Sequence, residues 1–155
     1  TVGSQEKIEI AKKYGCDEVI NYSKEDFAKK VMELTDGKGV SVVYDGVGKS
    51  TYDKSIECLK LRGTMVSFGN ASGALDPIIV SKSLQPKGIY FVRPAMNQYF
   101  TNSEEIHEAA NMLFKQISSG NVKIEIYKKY KLEDAVQAHK DLEGRKITGP
   151  AVIIP

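Results

Sequence analysis

The stretch VVYDGVGKST, residues 42–51, decides how the fold of this chain is interpreted. It begins in a run rich in β-branched residues, 40–44, which is typical of a buried parallel strand. A glycine turn follows, and then a window with Tyr52, Ile56 and Leu59 at helical spacing. A strand, a glycine turn and a helix in this order form the unit on which many α/β proteins place a ligand.

Two phosphate-binding motifs are close to this turn, and neither is complete. Gly48-Lys49-Ser50 resembles the end of the loop of nucleotide hydrolases, but position 43, where the first glycine should lie, is Val43. Gly46 is only two residues before Gly48, so the loop is too short to wrap a triphosphate. The dinucleotide fingerprint G-x-G-x-x-G is also absent, because GKGVSV, residues 37–42, lacks the third glycine and precedes a strand.

Outward from this turn, short β-branched runs alternate with amphipathic windows along the whole chain. The predicted strands are 18–22, 40–44, 64–69, 89–92, 122–126 and 151–154. Helices are predicted to start at Ser4, Ser23 and Ser103, after the turn at 46–48 (closed by Gly63), and near Ala135. This alternation predicts an α/β fold of the Rossmann-like, doubly wound type, with helices packed on a mostly parallel sheet.

In such sheets the ligand lies at the carboxyl ends of the strands. Four of the predicted ends are rich in glycine, polar or turn residues: 21–22, 45–48, 68–70 and 93–94. Their agreement predicts a binding site at one edge of the sheet.

Composition narrows the class of protein. The 155 residues carry a net charge of +2, which is too balanced to favour nucleic acid as the main partner. The longest apolar runs are far shorter than the ~20 residues that span a bilayer, so no membrane association is expected. Neither Cys16 and Cys58 nor His107 and His139 have metal-ligand spacing. With no leader pattern, a reduced, cytoplasmic compartment is predicted.

The start of the chain bears on cofactor choice. Residues 1–4 occupy the place where a second strand would end, and an NAD-binding protein carries an acid there. No acid is present, and Lys7 follows one helical turn later, which suits the 2′-phosphate of NADP. Taken by itself, Lys7 is explained better as a solvated helix residue.

Four segments carry a family resemblance: INYSKEDF (20–27), VVYDGVGKSTYDKSIECLKLRGTMVSFGNASG (42–73), YFVRPAMNQYF (90–100) and LEGRKITGPAVIIP (142–155). They resemble the NADPH-dependent quinone oxidoreductases, the ζ-crystallin-like branch of the medium-chain dehydrogenase/reductase superfamily. The resemblance implies zinc-independent hydride transfer from NADPH to a quinone. It also implies that the cofactor is held by Gly3, Ser4, Lys7, Tyr22, Val47, Gly48, Phe68, Gly69, Asn70, Ser72, Phe91, Val92, Arg93 and Arg145.

The resemblance assigns these residues to different parts of the cofactor. Gly3, Ser4 and Lys7 match the segment at the 2′-phosphate, with Tyr22 beside the adenine ribose. Residues 47–48 match the turn under the adenosine and pyrophosphate, and 68–72 match the segment along the nicotinamide ribose. The backbone of 91–93 matches the strand end at the carboxamide, and Arg145 matches a late basic residue that reaches the cofactor. Each aromatic or glycine has a purely structural alternative, as a core residue or a turn residue.

Members of this family also have a GroES-like catalytic domain and a first Rossmann strand, neither of which is in the sequence. We therefore expect an incomplete Rossmann sheet with an empty position beside strand 40–44, and a fragment that is inactive by itself. Residues 1–120 are predicted to form a partial NADP-binding domain, and 121–155 a segment that packs on the missing catalytic domain. No catalytic residue is assigned.

Two alternatives to quinone reduction remain open: an enoyl or alkenal reductase on the same scaffold, and a non-catalytic crystallin-like or RNA-binding protein. Nucleic-acid binding is disfavoured by the near-neutral charge. The apolar strand 89–92 is predicted to be a sheet edge, and the resemblance implies a homodimer through residues 88–100.

Overall fold

A computed structural model describes residues 1–144 and 146–155. It divides into two compact units, Thr1–Tyr99 and Phe100–Pro155. The helices and strands of the first unit are α1 Glu6–Lys13, α2 Phe27–Leu34, β1 Val40–Asp45, α3 Tyr52–Cys58, β2 Leu59–Ser67, α4 Val80–Ser83, a 3₁₀ turn Gln85–Lys87, β3 Tyr90–Val92 and α5 Met96–Tyr99. Those of the second unit are α6 Ser103–Ser118, β4 Lys128–Lys131, a 3₁₀ turn Leu132–Asp134, α7 Ala135–Glu143 and β5 Ala151–Ile154.

The first unit is built on a parallel sheet in the order β1-β2-β3. Val43 pairs with Met65, and Met65 pairs with Phe91, so the three strands are in register across the sheet. Ile56 and Leu59 join Met65 in a core between α3 and the sheet. The prediction of an α/β fold with a parallel sheet is confirmed.

The boundary between α3 and β2 differs from the prediction. The helix ends at Cys58, and Leu59, predicted to lie in the helix, begins β2 and is fully buried there. Gly63 lies inside the strand and does not close the helix. The strand starts early because it contains an irregularity, with Arg62 at φ 58° between the pairs Val40–Leu59 and Val42–Thr64.

The predicted strand 18–22 is not a strand in the structure. Only Asn21 forms a β-bridge, which is parallel and pairs with Val2. The bridge has two hydrogen bonds, Val2 N–H to the Ile20 carbonyl at 2.9 Å and Tyr22 N–H to the Val2 carbonyl at 3.1 Å. A longer ladder does not form because α1 begins four residues after Val2. The bridge lies outside the three-stranded sheet, as expected for an incomplete Rossmann sheet.

All three serine caps were wrong: at α2 and α6 another nearby side chain makes the capping hydrogen bonds, whereas at α1 the N-cap residue makes no side-chain cap hydrogen bond. The N-caps of α1, α2 and α6 are Gln5, Asp26 and Asn102. Asp26 accepts two backbone N–H groups, from Ala28 at 3.0 Å and Lys29 at 3.3 Å. A carboxylate or amide oxygen can reach N–H groups in the first turn only from the position directly before the helix.

In the second unit, β4 and β5 form a two-stranded parallel sheet. The predicted strand 122–126 is wrong: β5 pairs with residues 128–131 instead, although three of those four are lysines. In α7, Ala138 and Asp141 are buried while Val136 and Leu142 are exposed. Within the described part of the chain, no helix is long and apolar enough to cross a bilayer.

Candidate functional site

The carboxyl ends of the three strands of the first unit meet at one edge of the sheet. Asp45 pairs with Ser67 at the ends of β1 and β2, and Val66 pairs with Val92 at the end of β3. Turn 46–48 leaves β1 and turn 68–73 leaves β2, and Arg93 follows β3. We call these two turns together with Arg93 the strand-end edge.

The buried carboxylate of Asp45 holds turn 46–48 in place by hydrogen bonds. It is 4% exposed, and its Oδ1 accepts the N–H groups of Val47 at 2.8 Å and Gly48 at 2.9 Å. The hydroxyls of Thr51 and Ser55 donate to its Oδ2, each at 2.8 Å. Burial acts to raise the pKa of Asp45, but these hydrogen bonds together lower it below its ordinary value.

Asp45 is the site-building residue that the sequence prediction missed. Its signal is present in the sequence, since an aspartate at the end of a strand expected to be buried needs hydrogen-bond donors. Gly48 is at φ +88°, a conformation that suits glycine, and it allows both N–H groups to point back toward this carboxylate.

The two turns are bonded to each other. The Gly46 carbonyl accepts the Ala71 N–H at 3.2 Å, and the Val47 carbonyl accepts the Ser72 N–H at 2.8 Å. The Ser72 hydroxyl donates to the same Val47 carbonyl at 2.8 Å and accepts the Ser50 N–H at 2.9 Å. Residue 69 must be glycine for this crossing, because a Cβ there would lie 2.8 Å from the Gly46 Cα. The turns therefore form one bonded platform.

This bonding explains why the hydrolase-like motif does not cradle phosphates. The N–H groups of Val47 and Gly48 go to Asp45, that of Lys49 goes to the Gly73 carbonyl, and that of Ser50 goes to Ser72. The Lys49 ammonium pairs with Asp76 at 3.0 Å. A phosphate loop needs several free N–H groups and a free lysine, and these groups are already bonded within the protein.

The end of β3 is tied to the end of β2 by a side chain. The Arg93 guanidinium donates to the carbonyls of Ser67 at 2.7 Å and Gly69 at 3.2 Å. The Phe91 ring packs edge-on against Tyr52, with ring centroids 6.3 Å apart, so this side chain belongs to the core. The Val92 side chain, in contrast, is 37% exposed.

The remaining predicted residues of turn 68–73 are at the surface of the platform. Phe68 is 56% exposed, and its ring lies over Gly46. Asn70 is exposed, and its carbonyl accepts the Gly73 N–H at 3.0 Å.

A second group of predicted residues surrounds the Val2–Asn21 bridge. The Tyr22 hydroxyl lies beside Gly3, where a Cβ would come within 2.8 Å of it, and the Ser23 hydroxyl donates to the Gly3 carbonyl at 2.8 Å. Ser4 and Lys7 are half-buried at the start of α1. Gly3 and Tyr22 thus lie together next to the bridge, whereas Arg145 lies outside the described residues.

A groove of about 240 Å³ lies between the start of the chain and the platform. It is lined by Thr1, by Phe27 and Val31 of α2, and by β1 together with Gly46 and Val47. Its wall is mostly apolar, and it runs along the edge of β1 that does not pair with β2. The groove thus lies on the side of β1 where the sequence led us to expect an open position.

The fold and the strand-end edge define the class of protein: a doubly wound α/β domain in which the turns after parallel strands meet at one edge of the sheet. Solved structures with the same fold include the Escherichia coli quinone oxidoreductase complexed with NADPH, with a TM-score of 0.92 and 44% identity over 99% of this chain and 48% of that one. A quinone oxidoreductase of Pseudomonas syringae pv. tomato DC3000 has a TM-score of 0.93 and 42% identity over 99% of this chain and 47% of that one.

Curated relatives of similar sequence are also reductases or quinone oxidoreductases. A 2-haloacrylate reductase of Burkholderia sp. is 44% identical over 156 residues, covering 100% of this chain and 47% of that protein. Quinone oxidoreductase 1 of Escherichia coli (strain K12) is 44% identical over 157 residues, covering 100% of this chain and 48% of that protein. The chain thus spans about half the length of the curated relatives it matches.

The pattern of the family described as zinc-binding dehydrogenase matches residues 14–153, and the chain belongs to that family. The family resemblance found in the sequence is confirmed by the matches to quinone oxidoreductases over the full chain. Among residues 1–144 and 146–155, no cluster of three or more histidine, cysteine, aspartate or glutamate side chains could hold a metal ion.

Proposed function

We propose that the protein is an NADPH-dependent quinone oxidoreductase, and that this chain carries most of its cofactor-binding half. The observation that carries the proposal is the platform of turns 46–48 and 68–73 on a fold that matches an NADPH-complexed quinone oxidoreductase. An edge with glycines at both turns lets the backbone approach a flat, extended ligand closely.

The residues of the edge fit a dinucleotide. Residues 46, 48, 69 and 73 are all glycine, so the crossing turns present little side-chain bulk. Phe68 and Asn70 are exposed beside them, and the backbone of 91–93 ends at the same edge. In the proposal, Val47 and Gly48 lie under the adenosine and pyrophosphate, residues 68–72 line the nicotinamide ribose, and the backbone of 91–93 bonds the carboxamide.

The adenosine end of the cofactor is assigned to Gly3, Ser4, Lys7 and Tyr22. Lys7 supplies a cation, and no acid lies among residues 1–5, where a 2′-phosphate would be repelled. The Tyr22 ring packs beside the ribose, and Arg145 is proposed as a further cation for this end. NADPH is therefore preferred to NADH in this proposal.

When bound, NADPH supplies a hydride from its nicotinamide ring, and the chain's role is to hold and orient that ring. No residue of this chain is assigned as a proton donor or nucleophile. The quinone is proposed to bind where the nicotinamide ring is exposed, beyond Phe68 and Asn70.

Reduction of an electron-poor double bond is the second candidate. It is favoured by the 2-haloacrylate reductase relative, which matches this chain at the same 44% identity as the quinone oxidoreductase 1 relative. Both reactions would use the same cofactor edge, so the chain's own residues do not separate them.

A homodimer through residues 88–100 is part of the proposal. Among the described residues β3 pairs only with β2, and Tyr90 in β3 and Met96 and Tyr99 in the helix after it are 65%, 75% and 60% exposed. Exposed aromatic and methionine side chains beside an unpaired strand favour pairing with a second copy. A monomeric mass by light scattering at micromolar concentration would refute this part.

Use of NADPH, an intracellular reductant, supports a cytoplasmic location.

The test is a binding titration of the full-length protein with NADPH and NADH, followed by assays of its NADPH oxidation with a quinone and with a 2-haloacrylate. Binding of NADPH in preference to NADH with turnover of the quinone supports the proposal. Turnover of the haloacrylate alone supports the second candidate. Binding without turnover of either would support a non-catalytic protein, and absence of NADPH binding would refute both reductase functions.

A further inference from the structure

We propose that Asp45 is a positioning residue for the dinucleotide, because its carboxylate sets turn 46–48 and, through it, turn 68–73. This inference rests on the proposed function, since it concerns the edge that would hold NADPH. Asp45 itself is 4% exposed beneath the turn, so it acts through other residues and not by touching the ligand.

The carboxylate is the centre of a network of neutral donors. It accepts two backbone N–H groups of the turn and the hydroxyls of Thr51 and Ser55, all within 2.8–3.0 Å. In the part of the chain that the structure describes, no lysine or arginine forms an ion pair with it. The turn therefore depends on these directed hydrogen bonds and not on a charge pair.

The effect of Asp45 extends to the second turn. The carbonyls of Gly46 and Val47 accept the N–H groups of Ala71 and Ser72, so a shift of the first turn displaces the second. Arg93 also holds the second turn, because its guanidinium donates to the Gly69 carbonyl. One buried carboxylate thus fixes the relative placement of all three strand ends.

Two substitutions separate the hydrogen bonds from the charge. Asp45→Ala leaves two N–H groups and two hydroxyls without their acceptor, and such groups are costly to bury. In Asp45→Asn the amide oxygen can still accept both N–H groups, and the amide NH₂ can donate to the hydroxyls, which are also acceptors. If geometry is what matters, Asn rescues the function and Ala does not.

Asp26→Ala is a matched control. Asp26 also accepts two backbone N–H groups at the start of a helix, at 3.0 and 3.3 Å, and pairs with Lys54 of α3 at 2.7 Å, but it caps α2 and makes no bond to either turn. Its loss should lower the thermal midpoint without changing the affinity for NADPH.

The experiment measures the Kd for NADPH by calorimetry for each variant, with circular dichroism to show that it is folded. We expect Asp45→Ala to raise Kd by about tenfold or more, Asp45→Asn by less than about threefold, and Asp26→Ala not at all. If Asp45→Ala does not fold, Thr51→Val tests the inference in its place. The loss of one donor to Asp45 should then raise the Kd for NADPH by about threefold.

The inference is overturned if folded Asp45→Ala, or Thr51→Val in its place, binds NADPH as tightly as the wild type. It is also overturned if Asp26→Ala weakens binding as much as Asp45→Ala, because loss of general stability would then explain both. A wild-type protein that does not bind NADPH refutes the proposed function and this inference with it, whereas failure of the inference alone leaves wild-type binding intact.

Discussion

The crossing of the two turns predicts a sharp difference between two glycine-to-alanine substitutions. At Gly69, a Cβ would lie 2.8 Å from both the carbonyl carbon and the Cα of Gly46, which are backbone atoms of a turn fixed by Asp45. At Gly46, a Cβ would meet the Phe68 ring at 2.9 Å, and that ring is 56% exposed. Backbone atoms held by hydrogen bonds cannot move aside, whereas an exposed ring can rotate.

The magnitudes follow from these contacts. Forcing an extra methyl group into packed backbone costs about 1–3 kcal/mol, and the upper part of that range applies at Gly69. Alanine also restricts the unfolded chain, which adds back about 0.4–1 kcal/mol of folding stability where φ is not positive. Neither Gly46 nor Gly69 has a positive φ. We therefore expect Gly69→Ala to lower the free energy of unfolding by about 2 kcal/mol, and Gly46→Ala to change it by less than about 1 kcal/mol.

The assay is urea denaturation followed by far-UV circular dichroism, since the chain has no tryptophan. With a slope of about 2 kcal/mol per molar urea, Gly69→Ala should lower the midpoint by about 1 M and Gly46→Ala by less than about 0.5 M. Equal midpoints for the two variants would show that the crossing is not as tight as the structure indicates, and the reasoning would be refuted.

Two further predictions concern titratable groups. Hydrogen bonds from the Tyr130 hydroxyl, the Gln137 amide and the Lys128 ammonium lower the pKa of Asp141 from 3.8 to about 2. The stability from ionised Asp141 is therefore present above about pH 4 and lost as the pH falls toward 2, and Asp141→Asn should remove this part of the acid transition in circular dichroism; an unchanged acid profile would contradict it. Burial raises the pKa of the Cys58 thiol from 9.0 to about 11, so at pH 8 a thiol reagent should label exposed Cys16 quickly and Cys58 only after unfolding; two fast thiols in the folded protein would count against this.

The predictions from sequence succeeded where a pattern reports on burial along a single element. The β-branched run 40–44 became β1 with one residue added, and 89–92 became β3 with one residue removed. Hydrophobic periodicity records which side of an element is buried, and that information is local. The strand-end edge followed from it, because the ends of parallel strands meet by the geometry of the sheet.

Predictions failed where two nearby residues compete for the N-cap of a helix, and where pairing with a distant segment decides which residues form a strand. Serines were chosen as caps at three helices, while neighbouring Gln5, Asp26 and Asn102 have the position. The alternating segment 122–126 was chosen as a strand, yet the lysine-rich segment 128–131 pairs with β5. Strand pairing is a contact between distant segments, so the propensity of one segment does not determine it.

The sequence by itself determined the class of fold, the family and the edge of the sheet at which turns 46–48 and 68–73 and Arg93 meet. It did so because strand and helix periodicity, glycine positions and family segments are all properties of neighbouring residues. Only the tertiary structure decided what those residues do there: Ser72 and Arg93 tie strand ends together, Phe91 packs in the core, and Asp45 holds the turn. The reason is physical, since a hydrogen bond between residues 45 and 48 or 47 and 72 depends on distances and directions that exist only once the sheet has brought its strand ends together.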